Sequence, residues 1–183
     1  MAKRRFARIL APAVIATAPV AGCVSNNLEQ FANAPASQSL KLEDYFLGET
    51  KAYGLFEDRF GKLRRQFTVD ITGTLEGDTL TLDERFIYDD GERQTRIWSI
   101  KIGADGTYEG TAGDVIGVAQ GSVSGNALNW KYKVDLKVGD GVWRVGFDDW
   151  MYLLPDGVLM NRAYVSRFGV EIGQVTLTFL QRE

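Results

Sequence analysis

The sequence predicts an all-β protein in which one antiparallel sheet closes into a barrel of about eight to ten strands. Turn signals built on Gly, Asn and Asp recur eight times after Leu40, and apolar and polar residues alternate between them. No long segment has helical periodicity, so no helix is available to cover the apolar face of a wide sheet. Such a sheet must roll closed or fold into two layers, and a two-sheet sandwich is the alternative to the barrel.

Residues 1–22 have the pattern of an export signal. Four basic residues precede an apolar run from Ile9 to Val20, which is shorter than the roughly 20 residues that a membrane-spanning helix needs. The run ends in Val-Ala-Gly-Cys at positions 20–23, which resembles the bacterial lipobox. We therefore expect the mature chain to begin at Cys23, with acyl chains on its thiol and amino group that anchor it to a membrane. A buried structural thiol is the alternative role for Cys23.

Composition excludes several classes of function. The chain has no histidine and one cysteine, which excludes Ser-His-Asp catalysis, imidazole metal ligands, an intrachain disulfide and a cysteine-rich zinc site. Removal of the signal takes four of the 21 basic residues and none of the 24 acidic ones, leaving a net charge of −7. A nucleic-acid partner is not expected for an acidic body without a basic stripe. Neither a metal nor a cofactor is expected.

Residues 23–39 are predicted to form the lipidated cysteine and a flexible tether. This segment is rich in Asn, Ala, Ser and Gln, and it contains Pro35 and a single charge at Glu29. The barrel domain is predicted over residues 40–183. The sequence around Leu42 to Leu47 is compatible with a short turn of helix at its start.

The strands follow in order between turns that each contain a glycine. These glycines are Gly61, Gly77, Gly91, Gly106, Gly125, Gly139, Gly157 and Gly169. The eight turns separate about nine strands, and the clearest apolar rows begin at Leu63, Leu128, Trp143 and Val175. Three further glycines, Gly113, Gly117 and Gly121, indicate a corner or a bulge.

Four charged residues fall on apolar rows, where burial is costly unless charges are paired. They are Glu84, Arg96, Asp149 and Arg162. We interpret them as a polar site at one end of an apolar cavity, in which Arg96 or Arg162 binds an anionic head group through two parallel hydrogen bonds. The predicted aromatic walls of this site are Tyr88, Trp98, Trp150 and Tyr164. The alternatives are a bulge that turns the charges outward and a structural ion-pair network.

Four short segments resemble a known family. They are GLFEDR at 54–59, FTVD at 67–70, FDDWMY at 147–152 and NRA at 161–163. The sequence is similar to the proteobacterial lipoprotein family catalogued as domain of unknown function 3833, over about residues 40–179. This resemblance implies a Gram-negative envelope lipoprotein with a lipocalin-like barrel and no established activity, so it assigns no catalytic residue. Val24, rather than Asp, follows the modified cysteine, and similarity to enteric lipoprotein sorting then implies the periplasmic face of the outer membrane.

Three functions remain open. The first is a lipid-anchored barrel that binds or carries a small apolar ligand, such as a fatty acid. The second is an envelope enzyme that acts on lipids, with Glu84 or Asp149 as a general base whose pKa is raised by burial. The third is a structural or interaction lipoprotein whose barrel is filled with side chains.

Overall fold

The computed structural model describes residues 27–35, 39–138 and 141–182 of the 183-residue chain. Ten antiparallel strands form one closed barrel in which each strand pairs with its sequence neighbours and β1 pairs with β10. The predicted closed antiparallel barrel is confirmed, and the sandwich alternative is wrong. The predicted export signal (1–22), Cys23 and part of the predicted tether lie outside the described residues.

The ten strands begin and end close to the predicted glycine turns. They are β1 Gly48–Asp58, β2 Leu63–Glu76, β3 Thr79–Tyr88, β4 Arg93–Ile102, β5 Thr107–Thr111, β6 Ala119–Ser124, β7 Ala127–Val138, β8 Gly141–Leu153, β9 Leu159–Arg167 and β10 Val170–Gln181. One α-helix, α1, covers Leu42–Phe46, and 3-10 helices cover Leu28–Phe31, Ala104–Gly106 and Pro155–Gly157.

The turns explain why ten strands form rather than about nine. Seven of the eight predicted turns connect consecutive strands in the described residues, and the eighth includes residues 139–140, which are outside them. The additional break is the β5–β6 connection, residues 112–118, which contains Gly113 and Gly117. Gly117 has a φ of 73°, a conformation that glycine adopts readily, so one expected strand is divided in two.

Helix α1 plugs one end of the barrel. The Tyr45 hydroxyl lies 3.0 Å from the carbonyl oxygens of Gly157 and Phe179, and the Phe46 ring meets the Phe179 ring edge-on at 5.4 Å. On the facing strand, a Cβ at Gly73 would overlap the Phe46 carbonyl oxygen. The glycine therefore allows the helix backbone to approach the sheet closely.

The buried core lies next to this plug. Its most buried inward side chains include Leu80, Leu128 and Leu159, each with 0% of its surface exposed. A smaller cluster around Val134 and Val145 lies farther along the same barrel. The inward rows predicted for β2, β7, β8 and β10 are the rows that form these two clusters.

The first described segment packs on the outside of the barrel. In the 3-10 helix Leu28–Phe31, the Phe31 ring lies 5.5 Å from the Tyr152 ring of β8. The Leu40 amide then donates to the Gly125 carbonyl oxygen at 2.9 Å, so the chain enters the barrel at the plugged end. Within residues 27–35, 39–138 and 141–182, no helix has the length and apolar character to cross a bilayer.

Candidate functional site

The barrel interior is closed near α1 and accessible toward the opposite end. Along β2 the inward residues Ile71 and Val69 are 1% and 2% exposed, Phe67 and Arg65 are half-buried, and Leu63 is 45% exposed. On β3, Leu80 and Leu82 are buried, whereas the inward residues farther up the strand are half-buried. Because these side chains point inward, their accessible surface indicates a recess that opens at the end away from α1.

A group of polar side chains lies inside the barrel between the buried core and this open end. We call it the polar layer, and its members are Glu84, Arg96, Asp114, Tyr132, Asp149 and Asn161. Its clearest contact joins Arg96 of β4 to Asp114 of the β5–β6 connection. The Arg96 Nη2 and Nε atoms donate to the carboxylate of Asp114 at 2.6 and 3.1 Å. Burial opposes the charge on Arg96, but its hydrogen bonds to Asp114 and the negative charge of the nearby Glu84 outweigh burial and raise the pKa of Arg96.

Glu84 faces the interior from β3. Burial raises the pKa of its carboxyl group from 4.5 to about 7, and Asp114 adds to the rise, while Arg96 and the Trp98 side chain act in the opposite direction. No ion pair within 4.0 Å joins Glu84 to a described cation, because Arg96 is held by Asp114. Glu84 is therefore able to gain or lose a proton near neutral pH.

Asp149 and Asn161 form the least satisfied part of the polar layer. Asp149 is 6% exposed and Asn161 is 1% exposed. The Tyr132 hydroxyl lies 3.4 Å from Asp149 Oδ2, whereas Asp149 Oδ1 and both polar side-chain atoms of Asn161 have no hydrogen-bond partner. Burial raises the pKa of Asp149 to about 7, although the Asn161 amide, which faces the carboxylate without a hydrogen bond of good geometry to any described residue, and the charge of Arg96 lower it in part. Buried polar atoms without a protein partner are rare, and these atoms are available to hydrogen-bond a ligand or water.

Aromatic rings line the recess above the polar layer. Phe67, Phe86 and Tyr88 form one cluster with centroids 5.4 to 6.2 Å apart. On another wall the Tyr132 and Phe147 rings are stacked at 5.0 Å. Near the mouth, the Arg65 guanidinium lies 3.7 Å above the Tyr88 ring. This lining suits an apolar ligand with one hydrogen-bonding end.

Five of the eight predicted ligand-binding residues lie on inward-facing rows. They are Glu84, Tyr88, Arg96, Trp98 and Asp149. Trp98 is buried at the base of the recess, where its ring meets those of Trp130 and Tyr132 edge-on. The structure therefore brings together the predicted charges of β3, β4 and β8.

The inward orientation predicted for Arg162, Tyr164 and Trp150 is wrong. On β9 the buried row is Asn161, Ala163 and Val165, so Arg162 and Tyr164 belong to the outer face, where Arg162 is exposed. Trp150 is buried, but it lies on the outer face of β8, in register with Arg162. Both faces of β9 are apolar in sequence, and alternation alone does not distinguish which of them faces inward.

Three members of the polar layer were not among the predicted site residues. Asp114 lies in a connection rather than a strand, so strand alternation carried no signal for it. Tyr132 belongs to the predicted inward row of β7, where only its hydroxyl, a polar group on an otherwise apolar row, indicates a polar role. Asn161 was recognised only as part of a family-like segment, and it is the residue next to the wrongly chosen Arg162.

The polar layer offers groups that form hydrogen bonds and groups that exchange protons. Among the described residues, no group of three or more acidic or cysteine side chains is arranged to hold a metal ion. The layer offers one neutralised Arg–Asp pair, two carboxyl groups that titrate near neutrality and one unpartnered amide.

Comparisons with known proteins bear on the family and the fold. A family model described as protein of unknown function (DUF3833) matches residues 17–181. Among solved structures, the chain is similar to the S-type phycobiliprotein lyase CPES from Guillardia theta, at 7% identity and a TM-score of 0.57. This match covers 87% of this chain and 99% of that chain. At such low identity it shows the fold alone, which is a lipocalin-like barrel. No curated protein matches the sequence.

Proposed function

Since this chain belongs to the family described as protein of unknown function DUF3833 and has a lipocalin-like barrel, we propose its function from the barrel interior. The protein is a carrier that holds one small, mainly apolar ligand in the open recess. The hydrogen-bonding end of the ligand reaches Asp149 and Asn161, and its apolar part lies among Phe67, Phe86 and Phe147.

One observation carries this proposal: the unpartnered polar atoms of Asp149 and Asn161, which are buried on the core side of the aromatic rings that line the recess. An orphaned buried polar group costs about 1–3 kcal/mol, so a ligand that supplies the missing hydrogen bonds gains affinity there. The amide of Asn161 both donates and accepts, and the carboxyl group of Asp149 does the same when protonated. The complementary ligand group is a hydroxyl, an amide, an ester or a protonated acid.

The charges of the polar layer favour a neutral head group over an ionised one. Arg96 is already neutralised by Asp114, and Glu84 and Asp149 carry negative charge when ionised. A fatty acid therefore enters most readily as the protonated acid. Its binding weakens as pH rises through about 7, where Asp149 ionises. A fatty alcohol of the same chain length lacks the charge and depends much less on pH.

Two measurements test the carrier function. Native mass spectrometry of the protein purified from expressing cells is expected to find a co-purified apolar molecule of lipid size. After delipidation, binding of oleyl alcohol and oleic acid is compared below and above pH 7, the pKa of Asp149. Failure of the wild-type protein to bind either compound or retain a molecule would favour a filled, purely structural barrel.

Two substitutions test recognition in the polar layer, one at an inward amide and one at an outward carboxylate that serves as the control. Asn161→Leu keeps the volume but removes the amide, and it is expected to weaken oleyl alcohol binding about tenfold. Asp148→Asn changes the carboxylate beside Asp149, but Asp148 faces outward and binds Asn129 and Lys131. This control is expected to bind like the wild type. Equal losses in the two variants would contradict recognition in the polar layer.

A lipid-modifying enzyme is the second candidate, and one feature favours it. Among the described residues, no arginine or lysine lies within 4.0 Å of the Asp149 carboxylate, and the pKa of Asp149, about 7, suits a general base near neutral pH. The two functions differ in what happens to the bound molecule. A carrier returns its ligand with unchanged mass after prolonged incubation, whereas an enzyme releases a product whose formation stops in Asp149→Asn.

Anchoring at Cys23 is a separate part of the proposal, supported by the signal pattern of residues 1–23. The lipidated protein resides at the periplasmic face of the outer membrane. Cell fractionation is expected to find the wild type with outer membranes and Cys23→Ala in the soluble periplasmic fraction or unprocessed. A soluble wild type would contradict lipidation, without affecting ligand binding by the barrel.

A further inference from the structure

Most exposed apolar side chains at the open end of the barrel lie on one side, although Val118 of the β5–β6 connection is also 51% exposed. Those on the one side lie at the ends of three neighbouring hairpins, and together with two arginines we call them the rim arc. Its residues are Arg59 and Phe60 (β1–β2), Val142 and Trp143 (β8), and Arg167, Phe168 and Val170 (β9–β10). Phe60 and Phe168 are 80% and 89% exposed. Large aromatic side chains this exposed are unusual on a protein surface and mark interaction sites when they cluster.

The rim arc is continuous because β1, β10, β9 and β8 are consecutive in the barrel. The Arg59 amide donates to the Ile172 carbonyl oxygen at 3.0 Å and so joins the first tip to β10. Arg167 joins the other two, since its guanidinium lies 4.0 Å from the Trp143 ring centroid and 4.8 Å from that of Phe168. The three tips are therefore held side by side.

The arginines of the rim arc have aromatic neighbours in place of carboxylate partners. Arg59 lies 4.7 Å from the Phe60 ring centroid, and neither Arg59 nor Arg167 forms a salt bridge with a described residue. The Arg167 Nε atom also has no hydrogen-bond partner. The β3–β4 tip, which neighbours the β1–β2 tip on its other side, is acidic instead, with Asp90 and Glu92 bound to Arg65. On the apolar side of the mouth, two arginines therefore lack a described carboxylate partner, and one exposed carboxylate, Glu171, lacks a described cation partner.

Phe168 is held in a backbone conformation that its side chain does not favour. Its φ is 52°, and Gly169 follows at 77°, so the hairpin has positive φ at both central positions. Asn-Gly or Asp-Gly is the usual choice for such a turn, since a bulky residue seldom adopts this conformation. Within the barrel, this strained and almost fully exposed phenylalanine has only the contact with Arg167 to offset the cost of its backbone conformation. Its position is typical of a residue retained for an external contact.

We propose that the rim arc docks the open end of the barrel onto a lipid surface that carries anionic head groups. Aromatic side chains at projecting tips insert at the membrane interface, while adjacent arginines reach the phosphate groups. A bilayer accepts three separate tips at once, whereas a protein partner would need a matching pocket for each of them. Docking in this orientation places the mouth of the recess against the membrane, so that an apolar molecule passes between them without crossing water.

A single fluorescent label tests the orientation. The mature chain, residues 23–183, with Cys23→Ser has no export signal, no acyl anchor and no native cysteine, so Lys62→Cys at the first tip accepts a polarity-sensitive probe selectively. A second protein carries the probe at Glu76→Cys, at the plugged end where the chain enters the barrel. On phosphatidylcholine–phosphatidylglycerol vesicles, the emission of the rim probe is expected to shift to the blue and that of the plugged-end probe to stay unchanged. No shift at the rim, or a shift only at the plugged end, would overturn the proposal.

Substitution of Phe168 separates docking from folding. Phe168→Asn replaces the ring with a residue that suits a φ of 52°, so the melting temperature is expected to hold or rise. Affinity for the mixed vesicles is expected to fall about fivefold in the same variant. Ile97→Asn is the control, because Ile97 is 59% exposed on the barrel wall, away from the rim. Unchanged vesicle binding by Phe168→Asn, or an equal loss in Ile97→Asn, would overturn the proposal.

Discussion

Glu84 stands directly opposite Arg96 in the β3–β4 ladder, yet the Arg96 guanidinium binds Asp114, which lies 18 positions farther along the chain. The cross-strand neighbour is therefore left without an ion pair, and the pKa of Glu84 rises to about 7 because its carboxyl group is buried. Asp149, across the interior, is raised to a similar pKa. The polar layer thus combines one neutralised pair with two carboxyl groups that titrate near neutral pH.

Arg96→Met is expected to lower the free energy of unfolding by about 2 kcal/mol. The variant strands Asp114 and removes the positive charge that faces Glu84. The loss is smaller than for a fully buried pair, because the Asp114 side chain is 34% exposed. Arg162→Met is the control, and as a change on the outer face it is expected to cost at most about 0.5 kcal/mol. Urea unfolding at pH 8 measures both, and equal effects would contradict the assignment of faces on β9.

Asp149→Asn is expected to raise the free energy of unfolding relative to the wild type, by an amount that grows as pH rises. The pKa of Asp149 is about 7 in the fold and 3.8 for the free group, so the folded state binds this proton more tightly. The favourable contribution of the protonated group is complete below about pH 3.8 and is lost as pH rises through 7. Each unit of pKa difference corresponds to about 1.4 kcal/mol.

The measurement is the difference in unfolding free energy between Asp149→Asn and the wild type across this range. It is expected to grow between about pH 4 and 7, level off above that, and reach about 2 kcal/mol or more. Asp148→Asn, on the outer face of the same strand, is expected to show a clearly smaller trend, because it removes only the part of the pKa rise at Asp149 that the Asp148 charge causes. A difference that stays constant with pH would contradict a raised pKa at Asp149.

Gly73→Ala is expected to destabilise the protein by about 2 kcal/mol, because the new Cβ overlaps the Phe46 carbonyl oxygen and displaces helix α1 from the plugged end. Gly113→Ala is the matched control, since its Cβ would meet no atom within 4 Å. Thermal melts of the two variants test this difference. Similar melting temperatures would mean that α1 does not depend on close approach to β2.

Val134→Lys is expected to cost more than about 4 kcal/mol or to prevent folding. Val134 is 0% exposed on the inner face of β7, and lysine would place an unpaired charge there. The neighbouring change Lys133→Val is expected to have little effect, because Lys133 is exposed on the outer face. Far-UV circular dichroism and urea unfolding distinguish the two outcomes, and a greater loss in Lys133→Val would reverse the assigned faces of β7.

Alternation predicted the faces correctly wherever one side of a strand is clearly polar. On β7 the lysines at 131, 133 and 137 mark the outer face without ambiguity, and Val134 is accordingly buried. On β9 the row of Met160 and Tyr164 is as apolar as the buried row of Leu159 and Val165. The outer row is apolar here because it neighbours a covered patch, in which Trp150 stacks with Tyr152 and Tyr152 contacts Phe31. The sequence pattern of β9 was therefore symmetric, and Arg162 was placed on the wrong side.

The alternation of the strands and the glycine turns were determined by the sequence itself, because these features depend on residues within a few positions of one another. The absence of helices to cover an apolar face left closure as the solution. The candidate site was decided by the tertiary structure. Asp114 reaches Arg96 from a connection, and Asp149, Tyr132 and Asn161 converge from three different strands. Barrel closure determines which charges meet and which remain unpaired, since burial and partner distance set the electrostatics, and neither is encoded in local alternation.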